Sequence, residues 1–126
     1  MSNGPILVVD DDQSHAELIR EWLEQQGLQV DLASNGKVAL EQAARRRPSL
    51  ILLDLIMPVM TGYEFLRHLW ASETLQDVPV VVISGAHVTN LGGTVGFLRK
   101  PINLGELLRV VAPYRPATVA LAVSPP

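Results

Sequence analysis

Five short apolar runs punctuate the chain, at Ile6 to Val9, Leu28 to Ala33, Leu50 to Leu53, Val80 to Ile83 and Val95 to Leu98. They are continuous more often than alternating, the pattern of strands covered on both faces in a parallel sheet. The stretches between them repeat apolar residues at helical spacing. Ile19, Trp22 and Leu23 precede Gly27; Val38, Ala39 and Ala43 precede Pro48; Phe65, Leu66 and Leu69 form a third set; Leu104, Leu107, Leu108 and Val111 precede Pro113. Ser14 and Glu17 have capping-box spacing for the first helix, and Gly27 is placed to stop it. Repeated strand and helix units predict an open, doubly wound α/β sheet with right-handed crossovers.

One unit breaks the rhythm. The segment GAHVTNLGGTVG, residues 85 to 96, holds four glycines, each costing a helix interior about 1 kcal/mol relative to alanine. A loop with at most one turn is expected there, which makes the fourth crossover the weak point of the domain. The tail PATVALAVSPP is apolar and proline-punctuated, and reads as a linker or a docking segment.

Composition narrows the classes. A chain of 126 residues with 48% hydrophobic content suits one packed domain. The net charge of −3 and a single cationic run, Arg45 to Arg47 near a helix end, argue against direct nucleic-acid binding. There is no cysteine, hence no disulfide or thiolate metal site. No charged n-region with a long apolar run opens the chain, and no run approaches the roughly 20 residues of a membrane span. A cytoplasmic protein without a membrane partner is expected.

In a parallel sheet, ligands bind beyond the carboxyl ends of the strands where strand order reverses. The polar residues at those ends are Asp10, Asp11 and Asp12 after the first run, Asp54 after the third, Ser84 after the fourth and Lys100 after the fifth. A lone acidic triplet is usually a solvated turn, a lone serine a strand-end residue, a lone lysine a surface charge. Asp54 is harder to dismiss, because it interrupts LILLDLIMP, where an unpaired charge is costly. Carboxylates converging on one edge repel unless a hard cation such as Mg²⁺ joins them. With a lysine and a hydroxyl, they form a set suited to phosphoryl transfer onto a carboxylate oxygen.

The motifs ILVVDDD, ASNGKVALEQA, PSLILLDLIMPVMTGYEFL, VPVVVIS and FLRKP, in this order, make the chain similar to the receiver domain of two-component response regulators over residues 5 to about 114. The resemblance assigns residues 1 to 115 to the receiver and 116 to 126 to a tail or linker. It implies a flavodoxin-like sheet of five parallel strands in order 2-1-3-4-5, here with the fourth helix shortened or missing. It makes Asp54 the phosphoacceptor for a histidine kinase or phosphotransfer protein. Asp10 and Asp11 become the acidic pair for Mg²⁺, with Asp11 the direct ligand, Asp10 acting largely through water, and Asp54 and the Ile56 carbonyl completing the set. Ser84 takes the switch hydroxyl's place, Lys100 that of the phosphoryl-pairing cation, and Phe97 that of the switch aromatic, commonly Tyr. The Lys100-Pro101 bond is expected to be cis. Thr61 replaces an acidic residue common before the glycine, a change read as neutral.

The resemblance implies a signalling protein rather than an enzyme, acting on an unidentified downstream protein. The altered fourth element implies a different output surface, with a mobile loop after Ser84 expected to order on phosphorylation or partner binding; a homodimer through the fourth and fifth elements is left open. Ile56 and Ala86 have no side-chain polar group for an attacking water, which implies slow loss of phosphate. Two rivals stand beside this reading. DDDQS also fits the nucleophile motif of haloacid dehalogenase-type phosphohydrolases, with Asp10 as nucleophile, Asp12 as general acid, and Ser84 and Lys100 on the phosphate. That reading leaves Asp54 idle, and the later acidic pair it needs is reduced to Glu106. The other rival is a receiver-shaped interaction module that is never phosphorylated.

Overall fold

The computed structural model describes residues 4–85 and 92–115. Strands β1 (Ile6–Val9), β2 (Val30–Ala33), β3 (Leu50–Asp54), β4 (Val80–Ser84) and β5 (Gly96–Arg99) form one parallel sheet in the order β2-β1-β3-β4-β5. Helices α1 (Gln13–Glu24), α2 (Gly36–Arg45), α3 (Gly62–Ala71) and α4 (Leu104–Val111) flank it. Strand parity divides the core in two. Leu7, Val9, Ile51, Leu53, Val80 and Val82 pack with Ala39 and Ala43 of α2 and Phe65, Leu66 and Leu69 of α3. Ile6, Val8, Leu50, Leu52, Val81 and Ile83 pack with Ala16, Ile19 and Leu23 of α1 and Leu107 and Val111 of α4.

Burial on both faces holds for β1, β3 and β4, while β2 and β5 are partly exposed. The difference is positional, since the latter two are the edges of the sheet. At the β2 edge the Gln42 amide donates to the Leu32 carbonyl at 3.1 Å. The arginine run is spent locally, with Arg45 in the last turn of α2, Arg46 on Gln29 and Arg47 on the Thr74 carbonyl.

The start of α1 corrects the sequence reading. Asp12, not Ser14, is the cap, with its carboxylate accepting from the His15 amide at 3.1 Å and its carbonyl from the Ala16 amide at 2.9 Å. A carboxylate meets the positive end of the helix dipole better than a neutral hydroxyl does, so the helix begins earlier. Glu17, freed from capping, pairs with Arg20 at 2.9 Å. Gly27 does end the turn, at φ +84°, with Leu28 bonding back to the Leu23 carbonyl.

Thr61 caps α3 in a reciprocal box. Its hydroxyl accepts from the Glu64 amide at 3.2 Å and its own amide donates to the Glu64 carboxylate at 3.0 Å. The threonine read as a neutral replacement therefore fixes the helix that follows Asp54. Next to it, Gly62 donates to the Leu55 carbonyl at 2.9 Å, and its Cα approaches so closely that a Cβ would lie 2.6 Å from Leu55 Cα.

Among the described residues there is no helix between β4 and β5. Residues 86–91, which hold Ala86 and much of the loop expected to order on phosphorylation, and the tail, 116–126, lie outside the described residues. The crossover re-enters at Gly92, and Gly93, at φ +91°, lies against the Trp70 indole of α3. Val95 then joins the sheet through the Val80 carbonyl at 2.9 Å. Val95 and Phe97 are left exposed. No helix among the described residues is long and apolar enough to cross a membrane.

Candidate functional site

The carboxyl ends of β1 and β3 lie side by side where the chain winds outward in both directions. Asp10 follows β1, held in register by its amide bond to the Ala33 carbonyl at 3.0 Å, and is 3% exposed. One of its carboxylate oxygens accepts from the Asp12 amide at 2.9 Å, and the other meets His15 Nδ1 at 2.6 Å. Asp54 closes β3 and is 5% exposed. Its Oδ1 accepts from the Ile56 amide at 3.2 Å and its Oδ2 from Lys100 Nζ at 3.3 Å. Asp11 is exposed, and one oxygen from each of Asp10, Asp11 and Asp54 falls within 4.8 Å of the others.

Lys100 is aligned by the sheet: its amide donates to the carbonyl of buried Ser84 at 3.0 Å, one step beyond the pairing of Ser84 with Arg99. The Lys100-Pro101 bond is cis.

Charge is dense here, and two of the three carboxylates are buried. Burial pushes the Asp54 carboxyl above the ordinary carboxylate range; the Ile56 amide draws it back, the nearby Asp10 charge raises it, and the Lys100 ammonium lowers it. The upward influences dominate, so the ionised form is incompletely compensated by protein groups. Three hard oxygen donors from separate carboxylates, two of them buried, suit a small oxygen-seeking divalent cation.

Of the residues singled out from sequence, Asp10, Asp11, Asp54, Ser84 and Lys100 come to one edge of the sheet. Asp12 does not join the cluster, being the helix cap. The Ile56 side chain is 68% exposed while its amide turns to Asp54, and Phe97 is 40% exposed on β5. His15 was missed. Its only signal is a place in the first turn after Asp10, which the sequence cannot connect to a carboxylate five residues earlier. Beyond His15, a groove of about 430 Å³ is lined by Leu18, Trp22, Lys100, Pro101 and Ile102.

Comparison with known proteins gives consistent matches to one family. Residues 6–112 match the family model of the response regulator receiver domain. The response regulator MprA of Mycobacterium leprae is 39% identical over 109 residues, covering 82% of this chain and 47% of that protein. The chain thus spans about half the length of the curated relatives it matches. Among solved structures, the chemotaxis protein CheY4 of Vibrio cholerae superposes with a TM-score of 0.82 at 28% identity, over 90% of this chain and 99% of that one. The receiver domain of the sensor histidine kinase PA1611 of Pseudomonas aeruginosa, solved with magnesium in its active-site cleft, gives a TM-score of 0.81 at 28% identity, over 90% and 98%.

Proposed function

The chain belongs to the response regulator receiver domain family, and on that premise we propose that it accepts a phosphoryl group on Asp54 from a histidine kinase or phosphotransfer protein. The observation that carries the reading is the buried Asp54 carboxylate, gathered with Asp10 and Asp11 and paired with Lys100 at 3.3 Å.

In the transfer, an Asp54 carboxylate oxygen attacks phosphorus, an O–P bond forms, the P–N bond of the phosphohistidine breaks, and the imidazole leaves with the electron pair. The Ile56 amide holds the other oxygen and so fixes the carboxylate plane. Lys100, balancing Asp54 at rest, is within reach of the phosphoryl oxygens after transfer and follows the charge onto them. Ser84, at the end of β4, supplies the hydroxyl for a further phosphoryl oxygen. Asp10, Asp11, Asp54 and the Ile56 carbonyl would hold Mg²⁺, whose positive charge offsets the crowding of carboxylates and phosphoryl oxygens.

The groove beside His15 and Lys100 gives a donor protein an apolar footing next to the acceptor. The output is a switched protein–protein interaction at the β5 side, where Phe97 can report only through packing because it has no hydroxyl. We assign the receiver to residues 1 to 115 and a cytoplasmic place of action to it.

Incubation with acetyl phosphate and Mg²⁺ tests the reading. A hydroxylamine-labile phosphoryl group on Asp54, lost in Asp54→Asn, is expected. A protein that stays unmodified would instead be a non-phosphorylated interaction module, and modification of Asp10 would revive the hydrolase reading.

A further inference from the structure

We propose that His15 is a positioning residue for the cation site, holding the Asp10 carboxylate in the one orientation that serves the cluster. The inference rests on the receiver reading above, and its physical basis is a closed ring of contacts. Asp10 Oδ1 accepts from the Asp12 amide at 2.9 Å, the Asp12 carboxylate accepts from the His15 amide at 3.1 Å, and the His15 ring returns to Asp10 Oδ2 at 2.6 Å. Both oxygens of a nearly fully buried carboxylate are thereby fixed.

The acceptor is a carboxylate, so the imidazole proton sits on Nδ1, donated to Asp10. Each Asp10 oxygen keeps a second lone pair, enough to meet a cation or a water in its shell. His15 Nδ1 itself is outside the group of mutually close donors, which Asp10, Asp11 and Asp54 make up. Its role is accordingly to orient a ligand rather than to be one. Groups that hydrogen-bond to metal-ligating carboxylates set affinity strongly, and removing one typically costs about 10- to 100-fold. An Asp10 free to rotate would spend part of its time away from the cluster, and the cation would meet a site that must be reassembled at each binding event.

Location adds to the case. His15 is half-buried in the first turn of α1, whose start is set by the same Asp12, so the helix cap and the carboxylate orientation form one unit. His15 also lines the groove formed with Leu18, Trp22, Lys100 and Ile102, so its ring touches both that groove and the Asp10 carboxylate.

The test compares wild type, His15→Ala and His15→Asn, since the asparagine amide nitrogen reaches the position of Nδ1 through the same bonds. Two readouts are taken on the purified chain. Calorimetric titration with MgCl₂ should show about tenfold weaker binding for His15→Ala and wild-type affinity within about threefold for His15→Asn. In metal-free protein, the Asp12 amide should exchange faster in His15→Ala and at the wild-type rate in His15→Asn, because that amide reports Asp10's orientation directly. His15→Ala binding Mg²⁺ within twofold of wild type, or His15→Asn behaving no better than His15→Ala, would overturn the proposal. A structural role alone would lower the Tm of both variants without separating them in Mg²⁺ affinity. Wild type that binds no Mg²⁺ would sink the functional reading, whereas the Asp12 exchange rates would still decide whether His15 orients Asp10.

Discussion

Replacing Gly62 by alanine places a methyl group where the chain allows none. An added Cβ would lie 2.6 Å from Leu55 Cα, 2.8 Å from the Asp54 carbonyl oxygen and 3.0 Å from Leu55 Cδ2. Ordinary contact begins near 3.4 Å, so the shortest approach must open by roughly 0.8 Å, and two of the three atoms are backbone. α3 cannot easily give way, because the Thr61 and Glu64 box and the Gly62 bond to Leu55 fix its first turn. Nor can β3 easily move, because Ile51, Leu52 and Leu53 are paired on both sides and Asp54 is paired with Ile83. Overpacking of a site that cannot relax costs about 2 to 3 kcal/mol, equivalent to a Tm fall on the order of 10 °C for a domain of this size. Gly92→Ala is the control, since a Cβ there meets nothing within 4 Å; its unfolding free energy should stay level or rise by less than about 1 kcal/mol. Urea unfolding followed by fluorescence of Trp70 on α3 measures both. Because the displaced backbone is that of Leu55 and Asp54, phosphoryl incorporation should fall along with stability. A Gly62→Ala protein within about 0.5 kcal/mol of wild type would show that the close approach between α3 and β3 is not a constraint.

Asp12→Ala should lower unfolding stability by about 1 kcal/mol through loss of the α1 cap, while phosphoryl incorporation from acetyl phosphate persists. A loss matching that of Asp54→Asn would return Asp12 to the site. The raised pKa of Asp54 gives a pH signature in metal-free protein. Because the folded state binds that proton more tightly than the unfolded chain, the favourable contribution is complete below the ordinary value of 3.8 and disappears as pH rises through the elevated folded value. Asp54→Asn should therefore have the higher Tm at pH 7 in EDTA, with the gap closing on acidification; a lower Tm for Asp54→Asn at pH 7 would mean that Lys100 and Ile56 compensate the charge in full.

The strands and helices were legible because their periodicities reflect burial on opposite faces, as Ile6 and Val8 against Leu7 and Val9 illustrate. Asp54 was legible as a polar interruption in an apolar run, and Lys100 through its place at a strand end. The α1 cap was not, since Asp12 and Ser14 both offer a capping oxygen and the choice depends on how tightly the chain turns after β1. Edge exposure of β2 and β5 follows from strand order, which periodicity alone does not encode. His15 was invisible for a related reason. Its partner lies five residues back, outside the spacing of helical neighbours, and the contact exists because Asp10 leaves the strand before the helix begins.

Asp10 and Lys100 stand near opposite ends of the described chain, yet both belong to the edge at which Asp54 lies. β1 sits between β2 and β3, and β5, the last strand along the chain, lies at the far margin. The Asp54 and Lys100 pair is separated by 46 residues, the kind of non-local contact whose loop-closure entropy slows folding. On the proposed function, a nascent or clipped chain lacking β5 would present the Asp54 carboxylate without the Lys100 ammonium that pairs with it, so the counter-charge arrives only when the sheet is whole.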